Sequence, residues 1–221
     1  LVQMGLQEGD WFVCIHSREG GYSPSDEHLH SFRNIPIEDY LPAVEFIISN
    51  GGKCIRMGDS SMQPAPEEEG LIDYALSPFK SELMDIFLCS ECLFFLGSNS
   101  GIFELSTLFG KPVALANMAP MSVVPRGKAD LSLPMLYADS ASGKKLEFSE
   151  IMQTEKGNYR TTKEFQDAGI KLQKNKPSEI LELAKEQYLR TKNIYTSKDT
   201  NQVLQKKYKS LFKEGHYSFG Y

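Results

Sequence analysis

No apolar run in this chain approaches the roughly 20 residues that a membrane-spanning helix requires, and no secretory leader pattern is visible. The first residue is Leu rather than Met, so the sequence reads as a fragment or a processed product. Several chemistries lack their signatures. There is no GxGxxG after the first strand, which argues against a dinucleotide dehydrogenase, and no Gly-rich loop ending in Gly-Lys-Ser/Thr, which argues against a P-loop NTPase. GxSxG, the hydrolase elbow, is missing too. Only four histidines occur, and a metal site built on His28 and His30 is disfavoured. A net charge of −5 gives no global electrostatic case for nucleic acid or an acidic membrane. Of the four cysteines, Cys89 and Cys92 have redox or zinc spacing, but with no second ligand pair they read as buried thiols of a reducing compartment.

What remains is an ordinary globular composition, 41% hydrophobic and 24% charged, in 221 residues. That is enough for one large or two small domains with a sizeable core; we read it as one domain over 1–221. Apolar strand-length runs at 11–15, 53–57, 71–76, 93–96 and 113–116 alternate with helical patterns. The first helix carries Leu41, Val44, Ile47 and Ile48 on one face and ends at Asn50-Gly51-Gly52. Another starts at Ser77-Pro78 with Leu83, Ile86 and Phe87 sharing a face. A third covers 102–109 and stops at Gly110. Strands alternating with helices predict an α/β fold, a doubly wound parallel sheet with helices on both faces, to which C-terminal helices over 177–213 are added. Ile180, Leu181, Ala184 and Tyr188 are in step along the first of these; the second spans 201–212, with Val203, Leu204, Tyr208 and Leu211 as its apolar side and a solvated lysine face. Residues 118–160 show little periodicity and several prolines, and read as a long loop region over the carboxyl edge of the sheet.

Ligands of open parallel sheets bind where loops leave the carboxyl ends of the strands. Three such loops carry polar clusters here. The first holds His16, Ser17, Arg18, Glu19 and Tyr22; the second Arg56, Gly58 and Asp59; the third the turn Gly97-Ser98-Asn99-Ser100-Gly101. A turn of small polar residues opening a helix presents backbone N–H groups to a phosphate, and two arginines opposite it would complete a diphosphate cradle through bidentate pairing. Each element has a plainer alternative. His16 would satisfy a backbone group, Arg18 and Arg56 would pair with Glu19 and Asp59, and the serine turn would only cap its helix. Glu104, one turn into that helix, either binds a ribose hydroxyl or complements the helix dipole.

The strand ending in His16-Ser17-Arg18, the strand ending in Arg56-Met57-Gly58-Asp59, and the stretch from Gly97 through Gly110-Lys111-Pro112 resemble a family of bacterial glycosyltransferases with the GT-B fold. Arg33-Asn34, Tyr40-Leu41-Pro42-Ala43, Asp73-Tyr74-Ala75 and the run 84–89 add to that resemblance. The His-x-Arg element is also similar to the donor-binding loop of fucosyltransferases of this fold, which implies that Arg18 holds a donor diphosphate against Ser98, Asn99, Ser100 and Gly101. The resemblance implies a Rossmann-like domain equivalent to the donor-binding, C-terminal half of a GT-B enzyme, the acceptor half being absent from this sequence, separately encoded or reduced. It implies transfer from a nucleotide-diphosphate sugar to a glycan or lipid-linked acceptor in surface polysaccharide assembly. Glu19, Asp59 and His16 are then the candidate catalytic residues, and Arg18, Tyr22, Arg56, the 98–101 turn and Glu104 the substrate-binding ones. No cofactor is expected beyond the donor substrate. With no Asp-x-Asp motif, transfer is expected to be metal-independent. The expected location is the cytoplasm, with the inner-membrane surface as the alternative. A non-catalytic nucleotide-sugar-binding module and a sugar-nucleotide epimerase are the competing readings.

Overall fold

Short stretches of Val, Ile, Leu, Phe and Ala cannot bury both faces alone, and here they assemble side by side. In the computed structural model, which describes residues 1–197 and 199–216, β1 (Phe12–His16) leads through one helical turn, α1 (Glu27–His30), and then α2 (Leu41–Ser49) to β2 (Lys53–Arg56) and β3 (Leu71–Ile72). There follow α3 (Glu82–Glu91), β4 (Phe95–Gly97), α4 (Phe103–Leu108), β5 (Val113–Met118) and β6 (Leu131–Pro134). Lys198 and the last five positions of the expected 1–221 domain lie outside the described residues. The six strands form one all-parallel sheet in the order β3-β2-β1-β4-β5-β6. The chain therefore works outward from β1 in one direction, returns, and works outward in the other, with a switch point between β1 and β4. This is the expected α/β class with a Rossmann-like sheet flanked by helices.

Alternate residues of the central strands face opposite ways. Val13, Ile15, Leu96 and Ala114 belong to the core shared with α2; of the face expected on that helix Val44 and Ile47 are buried and Leu41 and Ile48 half-buried, and Ala43 is buried as well. Phe12, Cys14, Phe95 and Val113 belong to the core on the other face, shared with α3 and α4. Both faces are covered, which is why the strands read as continuous apolar runs rather than as alternation. Side chains such as Ile15 and Phe95 are completely buried, each contributing roughly 1.5–3 kcal/mol.

Three expectations are corrected. The third strand holds only two residues, and a single 3-10 turn, Tyr74–Leu76, occupies the rest of 71–76. The helix expected from Ser77-Pro78 starts at Glu82, because the Ser81 hydroxyl accepts the Met84 N–H (3.2 Å) and sets the first turn there. Its buried residues are Leu88 and Cys89, whereas Leu83, Ile86 and Phe87 are exposed. Two apolar stripes compete on this helix, and the Tyr74 hydroxyl, donating to the Asp85 carboxylate at 2.8 Å, helps fix which one faces in.

Residues 118–160 are not an open loop. They contain β6, then β7 (Leu136–Asp139) and α5 (Phe148–Met152). After α6 (Thr162–Asp167), β8 (Ile170–Gln173) pairs antiparallel with β7. β6 tolerates Pro134 because it is an edge strand ending there. Its start is pinned by Asp130, whose carboxylate accepts the N–H groups of Val113 (3.0 Å) and Gly127 (2.6 Å). Met121, Tyr137, Ile151, Phe165 and Ile170 make a satellite core under this region.

The C-terminal helices are α7 (Pro177–Thr191), which buries Ile180 and Ala184 beside α2, and α8 (Asp199–Lys209). No described residue of α8 is buried; of the apolar side expected there, Val203 and Leu204 are exposed, whereas Tyr208 and Leu211 are half-buried and Tyr208 packs edge-on against Phe148 and Phe212. Among the described residues, no helix is long and apolar enough to cross a membrane.

Candidate functional site

Because β1, β2 and β4 are parallel neighbours, the loops leaving their carboxyl ends share one edge of the sheet. The ends of β1 and β4 approach closely, and a Cβ added to Gly97 would stand 2.8 Å from the His16 carbonyl oxygen. Glycine is therefore the residue that lets the two ends meet. The Ser98 N–H donates to that carbonyl (3.1 Å), and the Arg18 N–H donates to the Ser98 hydroxyl (3.1 Å). Asn99 extends the lacing to the next strand, its Nδ2 donating to the Ala119 carbonyl at 2.7 Å. Part of the amide cradle is satisfied internally, since the N–H groups of Glu104 and Leu105 bond back to the carbonyls of Gly101 and Ile102, both at 3.2 Å. The Ser100 and Ser17 hydroxyl oxygens are buried without a hydrogen-bond partner. Gly101 and Glu104 are exposed, as is Tyr22.

The two arginines expected to grip phosphate are already neutralised within the protein. Arg56 is fully buried, its Nη1 reaching both oxygens of Asp73 (3.1 Å) and the Gln63 carbonyl (2.7 Å), and its Nη2 meeting Glu19 at 2.6 Å. Glu19 and Asp73 in turn accept the N–H groups of Gln63 and Ala65, both at 2.9 Å. This closed network staples the loops after β1, β2 and β3 together. Arg18, 14% exposed at its side chain, donates to Asn34 and to the His30 carbonyl (3.3 Å) and pairs with Glu27 at 3.5 Å. His16 holds the Met57 carbonyl through Nδ1 at 3.0 Å. Burial pushes its pKa below the ordinary value; the Arg56 charge adds to that, while the Met57 bond works against it. Asp59 accepts the Ser61 N–H (2.8 Å) within its own turn.

Beside the switch point lies a cavity of about 300 Å³, between the α1 segment, the ends of β4 and β5, and the irregular segment that enters α6. Its lining includes Arg33, Arg160, His30, Phe32, Asn99 and Pro120. Sequence reasoning missed Arg160 altogether and met Arg33 only inside a quoted stretch. The fold brings them together through local bonds. The Ile35 N–H donates to the Arg18 carbonyl (3.0 Å) and buried Ile35 anchors that segment. His30 Nδ1 donates to the Arg160 carbonyl (3.1 Å), and the Ser31 and Thr162 hydroxyls meet at 3.2 Å.

Arg33 and Arg160 differ from Arg18 and Arg56 in one decisive respect. Among the described residues neither guanidinium has a hydrogen bond or ion pair; the buried Arg33 Nε is unpartnered, as is that of Arg56, while Arg160 is exposed and its charge acts on the Glu164 carboxylate. Burial lowers the Arg33 pKa, and the neighbouring Arg18 charge lowers it further, with Glu27 opposing. The cavity is a cationic recess short of negative charge, suited to a polyanion such as a diphosphate. Glu19, Asp59, His16 and Arg56 are not among its lining residues, and no lining residue carries a carboxylate. Comparison with protein-family models, with curated proteins and with solved structures gave no match.

Proposed function

We propose that the switch-point cavity holds the diphosphate of a nucleotide-diphosphate sugar, and that the chain is a glycosyltransferase or its donor-binding half. The observation that carries the binding is the pair of unpaired arginines, Arg33 and Arg160, in one recess at the carboxyl edge of a Rossmann-like sheet. The transfer chemistry, and with it the GT-B assignment, rests on the sequence resemblance alone. As the bond to the leaving diphosphate breaks, the two guanidinium groups would stabilise the growing negative charge, the largest contribution such a site makes. Arg18 stands behind them as a fixed positive neighbour, held by Glu27 and Asn34. On this reading the chain acts in the cytoplasm or at the inner-membrane surface, on a glycan or lipid-linked acceptor, in surface polysaccharide assembly.

The absence of a lining carboxylate favours a second reading, a nucleotide-sugar-binding module whose catalytic base sits elsewhere. The first test is calorimetry with pyrophosphate, UDP and GDP on the wild type, Arg33→Ala and Arg160→Ala. Loss of charge-assisted hydrogen bonds worth ~1.5–3 kcal/mol should weaken binding roughly 10- to 150-fold in each variant. Undiminished affinity in both variants, or no binding by the wild type, refutes the site. Nucleotide released from a donor sugar in the presence of acceptor separates a transferase from a module.

A further inference from the structure

A second cavity, of about 420 Å³, lies beside the antiparallel β7–β8 pair and α6 and is lined by Phe32, Phe165, Met135, Ile170 and Leu172. Phe32 also lines the arginine recess, so one aromatic side chain divides the two spaces. Its ring meets Phe165 edge-on, with centroids 5.1 Å apart and planes at 65°, and the Arg33 guanidinium lies 6.0 Å from its centroid. Met135, Phe165 and Ile170 are buried and form the floor, while Phe32 and Leu172 are half-buried and give the cleft its accessible apolar wall. Gln166 and Ser140 stand at the rim, and among the described residues neither side chain has a hydrogen-bond partner. Lys171 and Lys174 also line the opening, and among the described residues neither is in an ion pair, although the Lys174 charge acts on the Asp39 carboxylate. A greasy slot with aromatic walls, two unspent polar side chains and a basic rim has the chemistry to hold a flat heteroaromatic ring attached to an anion.

We infer that this cleft is the nucleobase subsite of a nucleotide whose diphosphate lies in the arginine recess, with Phe32 as the shared wall. The inference rests on the reading of Arg33 and Arg160 as diphosphate ligands and deepens it. The recess supplies charge, whereas the cleft supplies apolar contact and the groups that read the edge of the base. Gln166 can donate and accept at once, and Ser140 can turn its hydroxyl to suit, so discrimination among bases belongs to these two residues.

The test uses the full chain and calorimetry with three probe classes: inorganic pyrophosphate, the common nucleoside diphosphates, and the unphosphorylated nucleosides. Ser140→Trp and Gln166→Trp fill the cleft from two exposed rim positions, just after β7 and on α6. If one fails to fold by circular dichroism, the other carries the test. In the wild type at least one nucleoside diphosphate should bind roughly tenfold or more tightly than pyrophosphate, the gain expected from stacking one base on an aromatic wall. In the filled variants that advantage should vanish, with pyrophosphate affinity unchanged. Equal binding of pyrophosphate and every nucleotide by the wild type overturns the subsite and leaves the arginine recess standing. An advantage that survives both variants also overturns it, since the base then sits elsewhere. Nucleosides that bind and are lost in the variants, with no pyrophosphate binding, would keep the cleft and overturn the diphosphate reading. Binding by none of the probes overturns both.

Discussion

Replacing Arg56 by Met should unfold the protein more readily without weakening its grip on anions. The guanidinium is fully buried and bonded to Glu19, to both oxygens of Asp73 and to the Gln63 carbonyl. Its removal leaves two carboxylates, with side chains 21% and 25% exposed, facing an apolar neighbour. Breaking a buried ion pair from one side costs ~3–5 kcal/mol. Here the carboxylates keep some water and the N–H groups of Gln63 and Ala65, which puts the loss near the lower end, about 3 kcal/mol. For a chain of this size that corresponds to a fall in Tm of roughly 6–12 °C. Urea unfolding followed by circular dichroism should show a lower midpoint with an unchanged slope, while calorimetry with pyrophosphate gives the wild-type affinity. Adding Glu19→Gln and Asp73→Asn should recover part of the loss, because those changes remove the uncompensated charges. Wild-type stability with reduced pyrophosphate affinity would refute the reasoning and return Arg56 to the role of a ligand.

His16 makes stability depend on pH. Its pKa is depressed in the folded state, chiefly by burial, so the unfolded chain takes up the proton first, near ~6.5. Stability is therefore complete above that value and falls as pH drops through it towards the folded pKa, by at most ~1.4 kcal/mol per pH unit for one proton. Urea midpoints at several pH values should show this slope flattened in His16→Gln, and an identical slope in the variant would contradict it. The four thiols, Cys14, Cys54, Cys89 and Cys92, are all buried. A thiol reagent should label none of them in native buffer and all of them in urea, and rapid native labelling would show the packing around them to be wrong.

The sheet was readable because its strands are buried on both sides and punctuated by residues with single uses. Gly97, Gly110 and Asn50-Gly51-Gly52 mark where strands and helices stop, and the structure stops them there. The errors arise where tertiary contacts override local pattern. On α3, the exposed Leu83, Ile86 and Phe87 form as good a helical stripe as the set that is buried. Spacing alone cannot choose between them, whereas the Ser81 cap and the Tyr74–Asp85 bond do. β6 and β7 were hidden because each is only four residues long: β6 is an edge strand of half-buried residues ending at Pro134, and β7 finds its partner β8 only beyond α5 and α6 in the chain.

The site was half legible for a related reason. A sequence shows which cations sit near a strand end but not which carboxylates reach them. Arg18 and Arg56 follow strands closely and looked like ligands, yet folding delivers Glu27 to the first and Glu19 with Asp73 to the second. An arginine that must stay available for a ligand is one the fold leaves unpaired, and that property belongs to the set of neighbours rather than to the position. Arg33 ends a single 3-10 turn, Ser31–Arg33, and Arg160 lies in the entry to a short helix, with no periodic signal around either. What joins them is a row of small bonds between the α1 segment and the start of α6: His30 to the Arg160 carbonyl, Ser31 to Thr162, and Thr162 to the Leu29 carbonyl at 3.2 Å. The cationic recess is thus made by a contact between distant parts of the chain, and no acidic side chain lines it.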